Sequence, residues 1–472
     1  MHDKLRDALS HISDRHIAEA ASYRRKRHLW IGAVAALLAL VLIITTVGSP
    51  MTVQAKAVSL AQAPDVMARP NRDDYDTFEE YRADWEIYDA LKSQNTSDIR
   101  TAKANLANFF SDSAAQFLGS TQANQVYSPM NVYIALSMLA EVTENRSRQQ
   151  ILELLAMDNT QQLRQQVSLL YESTYYDDGK TASILSNSLW LDNAVSYDQD
   201  VMDLLASGYY TSVYQGDLGS REIDKALQTW VNKQTGGLLK NAASGLSLDP
   251  ETVLTIASTV CFQAKWEDDF SSQHNTRGVF HAPGGDVSCT YMNKKQMQSY
   301  YYWGDSYGAV SLPLKNGHAM WLILPDEDKT VSDVLTEGQY LDTVMDHQLP
   351  ESQSNSKYMK INLSLPKFDI SCQTDLKEGL EALGVTDVFD FQTSDFSAIT
   401  TDTPICVTGV RQATRVAIDE DGVTAASYII IPGAGAAAPP EEIIDFVLDR
   451  PFLFVITNYD HLPLFAGVVN QP

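Results

Sequence analysis

A run of small residues near the C-terminus has the composition of a segment that could join a β-sheet as an added strand. Residues 419–427 read DEDGVTAAS and follow the apolar, strand-like segment Val416–Ile418. Alternate residues of a strand share one face. One face of this segment would carry only small or apolar side chains: Val423, Ala425, Ser427, Ile429 and Ile431. Bulky side chains would block entry between two existing strands. This composition therefore favours a segment that enters a sheet and bonds to its neighbours through the backbone.

The same run lies in a long connection that is typical of an exposed loop. No proline occurs in it before Pro432, and Pro439 and Pro440 precede the next strongly apolar segment, which begins near Phe452. Two interpretations are open at this point. The first half of the loop inserts into a sheet, or the loop is a plain glycine- and alanine-rich linker that never inserts.

Catalytic patterns are missing from the rest of the chain. The histidines beyond residue 100 are His274, His281, His318, His347 and His461. None lies beside a Gly-x-Ser-x-Gly nucleophile turn or in a His-Glu-x-x-His helix. The sequence therefore predicts a protein that is not an enzyme and has no catalytic residues.

The cysteines show no metal-site spacing. They are Cys261, Cys289, Cys372 and Cys406, and no pair of them fits a template for zinc ligands. Cys261 and Cys406 lie in apolar, strand-like runs, which predicts small buried side chains. A disulfide outside the cell stays open, with no pairing indicated. We expect no metal and no cofactor.

The net charge excludes one class of partner. The formal charge is −25 over 472 residues, and such a surface repels nucleic acid. The densest basic run is Arg24–Arg27, directly before Leu29–Val47, which contains no charged residue. Nineteen apolar or small residues can cross a hydrocarbon core of roughly 30 Å.

These features predict a membrane anchor that places the main domain outside the cell. Basic residues before the apolar segment favour a cytoplasmic N-terminus, so everything after Gly48 would be external. The alternative is a secreted protein, because Ala55-Lys56-Ala57 has the small-x-small form of a signal-peptide cleavage site.

The chain divides into four parts on composition. Residues 1–28 are predicted as a cytoplasmic tail, 29–48 as a single transmembrane segment, 49–100 as an external stalk or linker, and 101–472 as the folded domain. Within the linker, Tyr81, Trp85 and Tyr88 could form one face of a short helix or could pack on the domain.

Helices dominate the first half of the folded domain and strands the second. Ser128-Pro129 predicts a helix start, because serine suits the N-cap and proline the first turn. A second helix is predicted around Ile223–Val231 and ends at Gly236-Gly237. Asn316-Gly317, between two apolar runs, predicts a β-hairpin. Two further strands, near Phe452–Ile456 and Leu464–Val469, are predicted to pair through a polar turn. The class is α+β.

Several motifs resemble those of the serpins, in the same order as in that family. They are Ser128-Pro129 with Ala135-Leu136, SNSLWL at 186–191, TWVNKQTGGLL at 229–239, FQAKWEDDF at 262–270, DFSAIT at 395–400, DRPFLFVI at 449–456 and the terminal GVVNQP. The resemblance covers roughly residues 101–472. It implies the serpin fold: helices packed on a large central β-sheet, two smaller sheets and an exposed reactive loop.

The resemblance also implies how such a protein works. A serine protease would cleave the loop, and the freed segment would insert into the central sheet while the protease is still esterified to it. The hinge implied by the family is Glu420, Gly422, Val423, Thr424, Ala425, Ala426 and Ser427. Family spacing from Gly422 places the cleaved bond at Ala436–Ala437. Spacing counted back from Pro451 moves it toward Pro440.

The expected partner is a protease with a small, apolar primary pocket, elastase-like or subtilisin-like, held in a covalent complex by a monomeric inhibitor. Neither lysine nor arginine occurs from Gly422 to Asp449, which argues against a trypsin-like target. The alternative is a non-inhibitory serpin, or an interaction module displayed on the membrane.

The region where the sheet would open departs from the family pattern. The residues expected there are Ser128, Asn131 and Gln412. Asn131 stands where the family often has serine, Gln412 where many members have a buried histidine, and Ser258 where asparagine is common. We expect Asn131, Gln412 and Ser258 to form one polar cluster.

Overall fold

The computed structural model describes residues 55–61, 70, 72, 75–94, 96–119, 122–177, 182–239, 243–345, 355–423 and 442–472. Contacts divide the chain into two units, Met1–Gln54 and Ala55–Pro472. The predicted tail and transmembrane segment lie outside the described residues, as does the loop at 424–441. Within the ranges that are described, no helix combines the length and apolar character needed to cross a membrane.

The described helices precede or flank the strands. They are α1 (Phe78–Gln94), α2 (Thr96–Leu118), α3 (Pro129–Val142), α4 (Asn145–Leu154), α5 (Thr160–Thr174), α6 (Gln199–Gly208), α7 (Arg221–Gln234), α8 (Val331–Glu337), α9 (Tyr340–Met345) and α10 (Lys377–Ala382). Short 3-10 turns occur at Ser272–His274, Lys315–Gly317 and Asp387–Phe389.

The strands alternate with these helices at first and then follow one another. They are β1 (Lys56–Ser59), β2 (Gln125–Tyr127), β3 (Tyr176–Asp177), β4 (Ala182–Asp192), β5 (Thr211–Gly216), β6 (Leu254–Lys265), β7 (Thr276–Ala282), β8 (Gly285–Trp303), β9 (Tyr307–Pro313), β10 (Ala319–Pro325), β11 (Ser356–Pro366), β12 (Phe368–Asp375), β13 (Arg411–Ile418), β14 (Gly422–Val423), β15 (Ile443–Val447), β16 (Phe452–Thr457) and β17 (Pro463–Val469).

The central sheet is divided by a gap. On one side its order is β1-β5-β4-β6-β14, with β3 paired to β4. On the other side β12 and β13 pair only with each other among the described strands. The remaining strands, which the resemblance divides between two smaller sheets, are hydrogen-bonded into one sheet of order β15-β11-β8-β9-β10-β16-β17-β2, with β7 on β8. The α+β class is confirmed.

Local sequence signals explain how several of these elements begin and turn. Ser128 accepts a hydrogen bond from the Asn131 backbone N–H at the start of α3, as its N-cap position predicts. Asn316 and Gly317 both have positive φ, 62° and 76°, between the antiparallel strands β9 and β10. The predicted turn is therefore confirmed, because these two residue types tolerate that conformation best.

The core lies where α2 and α3 meet the second sheet. Phe109, Phe110 and Tyr133 are almost fully buried there, with Leu453 and Phe454 of β16. The predicted pairing of β16 with β17 is confirmed, with Leu453 opposite Val468. Burying these apolar side chains holds α3 beneath the end of β13, which positions the gap described below.

The first described strand lies inside the segment predicted as a linker. Residues Lys56–Ser59 pair antiparallel with β5 and so add an edge strand to the central sheet. This part of 49–100 therefore belongs to the folded unit, which begins at Ala55. An edge strand of four residues with no long apolar run carries little sequence signal, since its partner alone determines the pairing. Tyr81, Trp85 and Tyr88 do follow one side of α1.

Candidate functional site

A narrow gap between β6 and β13 is the candidate site. Among the described residues, a strand fills only its upper end, where Gly422 pairs with Lys265 and Val423 with Ala264. Below Val423, the gap contains a cavity of about 30 Å³ lined by Val260 and Phe262 of β6 and by Thr414 and Val416 of β13. The lining combines apolar side chains with the polar Ser128, Asn131 and Gln412, and its apolar part could bury small side chains of an added strand.

A tight turn starts the hinge. The backbone of Asp419 and the backbone of Gly422 bond to each other, with N···O distances of 3.1 and 3.3 Å. Gly422 has a φ of +142°, and a Cβ there would lie 2.5 Å from the Ala264 carbonyl oxygen. Glycine is thus the residue that this turn accommodates.

Two residues from elsewhere in the chain hold this turn. The Trp266 indole N–H donates to the Asp419 carbonyl oxygen at 2.8 Å, and the Phe270 backbone N–H donates to the Glu420 carbonyl at 3.1 Å. Both residues belong to the FQAKWEDDF motif. The backbone of the hinge is therefore anchored to the segment that follows β6.

The Glu420 carboxylate is bound on two sides. Lys367 Nζ lies 2.5 Å from Glu420 Oε1, and the Asn275 side-chain amide donates to the same oxygen. Burial opposes the charge of Glu420, but the hydrogen bonds from Lys367 and Asn275 outweigh it, so the pKa of Glu420 is lowered. The carboxylate is thus kept ionised and the start of the hinge is tied to the residue between β11 and β12. We call these three residues the hinge clamp.

Polar residues beneath β13 bind it to the start of α3. The Ser128 backbone N–H donates to Gln412 Oε1 at 2.9 Å, and Gln412 Nε2 donates back to the Ser128 carbonyl at 3.2 Å. Thr414 Oγ1 donates to the Val126 carbonyl at 2.7 Å. The Ser128 hydroxyl also donates to the Leu464 carbonyl of β17. Asn131 is buried and lines the same gap.

Ser258 lies in a different cluster, so the expected grouping with Asn131 and Gln412 is wrong. Its hydroxyl donates to Asn187 Oδ1 of β4 at 2.6 Å, and Asn187 Nδ2 in turn bonds to the Tyr171 hydroxyl and the Tyr209 carbonyl. The physical reason is that the gap separates the two strands that carry these residues. Ser258 belongs to β6 and bonds within its own half of the sheet, whereas Gln412 belongs to β13.

Several predicted site residues lie outside the described part of the chain. They are Thr424, Ala425, Ala426, Ser427, Ala436 and Ala437. The first described residue after them is Glu442, whose carboxylate lies 2.7 Å from Lys357 Nζ. Glu420, Gly422, Val423, Ser128, Asn131 and Gln412 do surround the two ends of the gap.

The hinge clamp itself was not predicted. Lys367 and Asn275 are distant in sequence from Glu420, and neither stands in a motif that indicates such a contact. Trp266 belongs to the FQAKWEDDF motif, so the sequence could indicate that it matters. Its role in binding the Asp419 carbonyl depends on the fold.

The cysteines all lie within the described ranges and carry free thiols. Cys261 is buried in β6, as predicted. Cys406 is half-buried in a stretch without strand structure, so its predicted strand is wrong. Among the described residues, no group of three or more histidine, cysteine, aspartate or glutamate side chains is arranged to hold a metal ion.

Known proteins place this arrangement in one family. The profile described as "Serpin (serine protease inhibitor)" matches residues 104–472. Serpin-ZX of Arabidopsis thaliana is 28% identical over 370 residues, which cover 75% of this chain and 93% of that protein. The fold is similar to the native state of the thermophilic serpin tengpin, with a TM-score of 0.69 at 22% identity, over 89% of this chain and 100% of the other.

The fold is also similar to thyroxine-binding globulin in complex with thyroxine, with a TM-score of 0.66 at 20% identity, over 78% of this chain and 99% of that one. The profile match spans well over half of the chain, and the divided sheet and the hinge lie inside it. The chain therefore belongs to the serpin family.

Proposed function

We propose that this protein inhibits a serine protease by offering its loop as a substrate and inserting the cleaved loop into the central sheet. Serine protease inhibition is the general function of the matched family. One observation carries the proposal for this chain. Gly422 and Val423 already pair with β6 at one end of a gap that no other described strand fills.

The pairing at this end supports a specific register for the inserted strand. Continued along β6, it would bring Ala425 opposite Phe262 and Ile429 opposite Ser258. Val423 is 3% exposed and lines the gap. Because side chains alternate along a strand, Ala425 and Ser427 would face inward like Val423, whereas Thr424 would face outward.

Insertion at this register would be favourable. Each new backbone hydrogen bond contributes about 0.5–1.5 kcal/mol net. A strand between β6 and β13 would pair on both sides and would also bury apolar side chains such as Ile429. This gain would drive the movement of an attached protease.

The two polar clusters support opening of the sheet. The Ser128–Gln412 bonds lie on the β13 side, and the Ser258–Asn187 bond lies on the β6 side. No bond of either set runs directly between β6 and β13. The bond pattern keeps each half intact while the gap widens.

We further propose that cleavage falls at Ala436–Ala437 and that the target is an elastase- or subtilisin-like protease. A bond next to Pro440 is a poorer substrate than one between two alanines. Alanine before the cut suits a small, apolar primary pocket.

We propose that the inhibitor acts as a monomer outside the cytoplasm, held by the segment 29–48. The pairing of Lys56–Ser59 with β5 favours a retained anchor over secretion, because cleavage after Ala57 would cut through strand β1.

The experiment is incubation of the protein with a panel of serine proteases, followed by denaturing electrophoresis and mass determination of the released peptide. We expect a 1:1 complex that survives denaturation with at least one elastase- or subtilisin-like protease, and a peptide that begins at Ala437. Clean cleavage without any complex across the whole panel would contradict inhibition. That result would favour a non-inhibitory role, such as the ligand binding that thyroxine-binding globulin shows on the same fold.

A further inference from the structure

An exposed aromatic patch lies on the second sheet, away from the gap. It consists of Tyr300 of β8, Tyr358 of β11 and Ile443 of β15, which are 36%, 42% and 52% exposed. Tyr300 and Tyr358 are direct cross-strand partners, with ring centroids 5.3 Å apart in an edge-to-face arrangement. Ile443 pairs with Lys360, two residues from Tyr358 and on the same face. We call these three residues the tyrosine patch.

The patch lies where the loop returns to the sheet. The Lys360 backbone N–H donates to the Glu442 carbonyl at 3.0 Å, and Lys357 pairs with the Glu442 carboxylate. Strand β15 runs parallel to β11, with Ile443 opposite Lys360. Tyr358 precedes Lys360 by two residues, so it lies at the end of the sheet where β15 begins. Glu442, the first described residue after the loop, is therefore fixed beside the patch.

The length of the intervening chain limits where a protease can be. Four residues lie between Ala437 and Glu442, so five Cα–Cα steps join the two. Fully extended, they span at most about 17 Å. A catalytic domain of about 200 residues has a radius of gyration of about 16 Å. Its diameter is more than twice that radius, so the domain is wider than this stretch of chain is long. A protease holding the bond Ala436–Ala437 would then be kept close to this edge of the sheet.

We propose that the tyrosine patch is a second contact surface for the target protease, outside the reactive loop. The inference rests on the proposed function. Tyrosine suits such a surface, because its ring contributes apolar area and its hydroxyl can bond to a polar rim. The partner surface is the face of the protease next to its active site, with apolar groups for the two rings. The contact speeds docking and adds nothing to insertion.

The test compares association rates of the full-length protein and of the double variant Tyr300→Thr/Tyr358→Thr. Threonine keeps the β-propensity of both positions while removing the rings. The probe is the elastase- or subtilisin-like protease that forms the covalent complex. We expect the association rate constant to fall about tenfold, as for the loss of strong interface residues. The matched control is Phe391→Thr, which removes a ring that is 60% exposed on the segment next to α4; it should leave the rate unchanged.

A second measurement isolates docking from chemistry. The same protease with its catalytic serine replaced by alanine should bind the double variant about tenfold more weakly than the parent protein. The fraction of parent and variant that ends as covalent complex should be equal, since insertion is untouched.

Equal association rates for parent and double variant would overturn the proposal. A lowered melting temperature with an unchanged rate would also overturn it, because the rings would then serve the fold. If the parent protein forms no covalent complex with any protease, the proposed function fails first and the patch loses its partner. The two failures can be told apart, because the absence of a complex is seen with the parent protein before any variant is made.

Discussion

At the residue scale, the burial of Val423 determines which side chains of the loop must be small. Val423 lies against the inner wall of the gap, and its strand partner Ala264 is fully buried. The next residue that would face the same wall is Ala425, and Phe262 would lie opposite it. A positively charged side chain at that position would have to leave water, and no acidic side chain lines the gap among the described residues.

The substitution Ala425→Arg should therefore convert the inhibitor into a substrate. Burying an unpaired charge costs several kcal/mol, so insertion should slow while cleavage proceeds. The measurement is the ratio of covalent complex to cleaved protein on denaturing gels after reaction with an excess of inhibitor. We expect at least a tenfold fall in the fraction that forms the complex.

Thr424→Arg is the matched control, one residue away. At the register of β14 its side chain would face outward, where an arginine remains hydrated. It should change the same ratio much less. Equal effects at the two positions would contradict the register.

At the element scale, the hinge clamp couples the turn before β14 to the connection between β11 and β12. Lys367 is the residue that separates those two strands, and Asn275 lies just before β7. Glu420 thus joins three segments that are far apart in the chain. Breaking this contact should free the hinge without disturbing the rest of either sheet.

The stability contributed by Glu420 should depend on pH in a defined direction. Its pKa in the folded protein is lowered from the value of an unstructured glutamate, about 4.3. The contribution is therefore fully present above that unfolded value and is lost as the pH falls through the folded pKa. At pH 7, Glu420→Gln should lower the melting temperature by about 2 °C, as expected for roughly 1 kcal/mol.

Melting curves of the parent protein and the variant at pH 7 and at pH 3 test this prediction. The difference in melting temperature should be smaller at pH 3 than at pH 7, because the contribution of the carboxylate is lost as the pH falls through its lowered folded pKa. Asp369→Asn serves for comparison, because its pair with Arg415 is more exposed and should contribute less. A difference that stays constant with pH would show that the charge of Glu420 does not stabilise the turn.

At the scale of the whole molecule, the divided sheet predicts a metastable protein. Among the described strands, the gap between β6 and β13 leaves backbone and apolar surface that an added strand would cover. The loop is joined to the described structure at Val423 and at Glu442, and we expect cleavage to release its first half for insertion.

Cleavage of the loop between Gly433 and Ala438 should therefore raise the melting temperature by tens of degrees, even though one peptide bond is lost. The new strand would add hydrogen bonds on both sides and bury its inner face. Melting curves of intact and nicked protein, run side by side, provide the measurement.

Nicked Ala425→Arg protein is the control, since it carries the same cut but a strand that inserts poorly. Its melting temperature should rise much less on cleavage. A simple surface linker leads to a different result, because a nick there leaves stability unchanged or lowers it. Coincident curves for intact and nicked parent protein would mean that the loop does not insert.

Local patterns in the sequence were enough to predict much of the fold. The start of α3 at Ser128-Pro129 and the turn at Asn316-Gly317 follow from backbone preferences of a few neighbouring residues. Gly422 stands in the hinge for a similar reason, since its φ is one that glycine adopts freely. The order of the serpin motifs then indicated the family.

Only the tertiary structure decided which distant residues meet. Glu420 binds Lys367, Ser258 bonds to Asn187 and not to Gln412, and Lys56–Ser59 joins the edge of the central sheet. Each of these contacts depends on the register between strands that are far apart in the chain. A local pattern sets the period of one strand, but the alignment of two strands is decided by the packing of the whole sheet on its core.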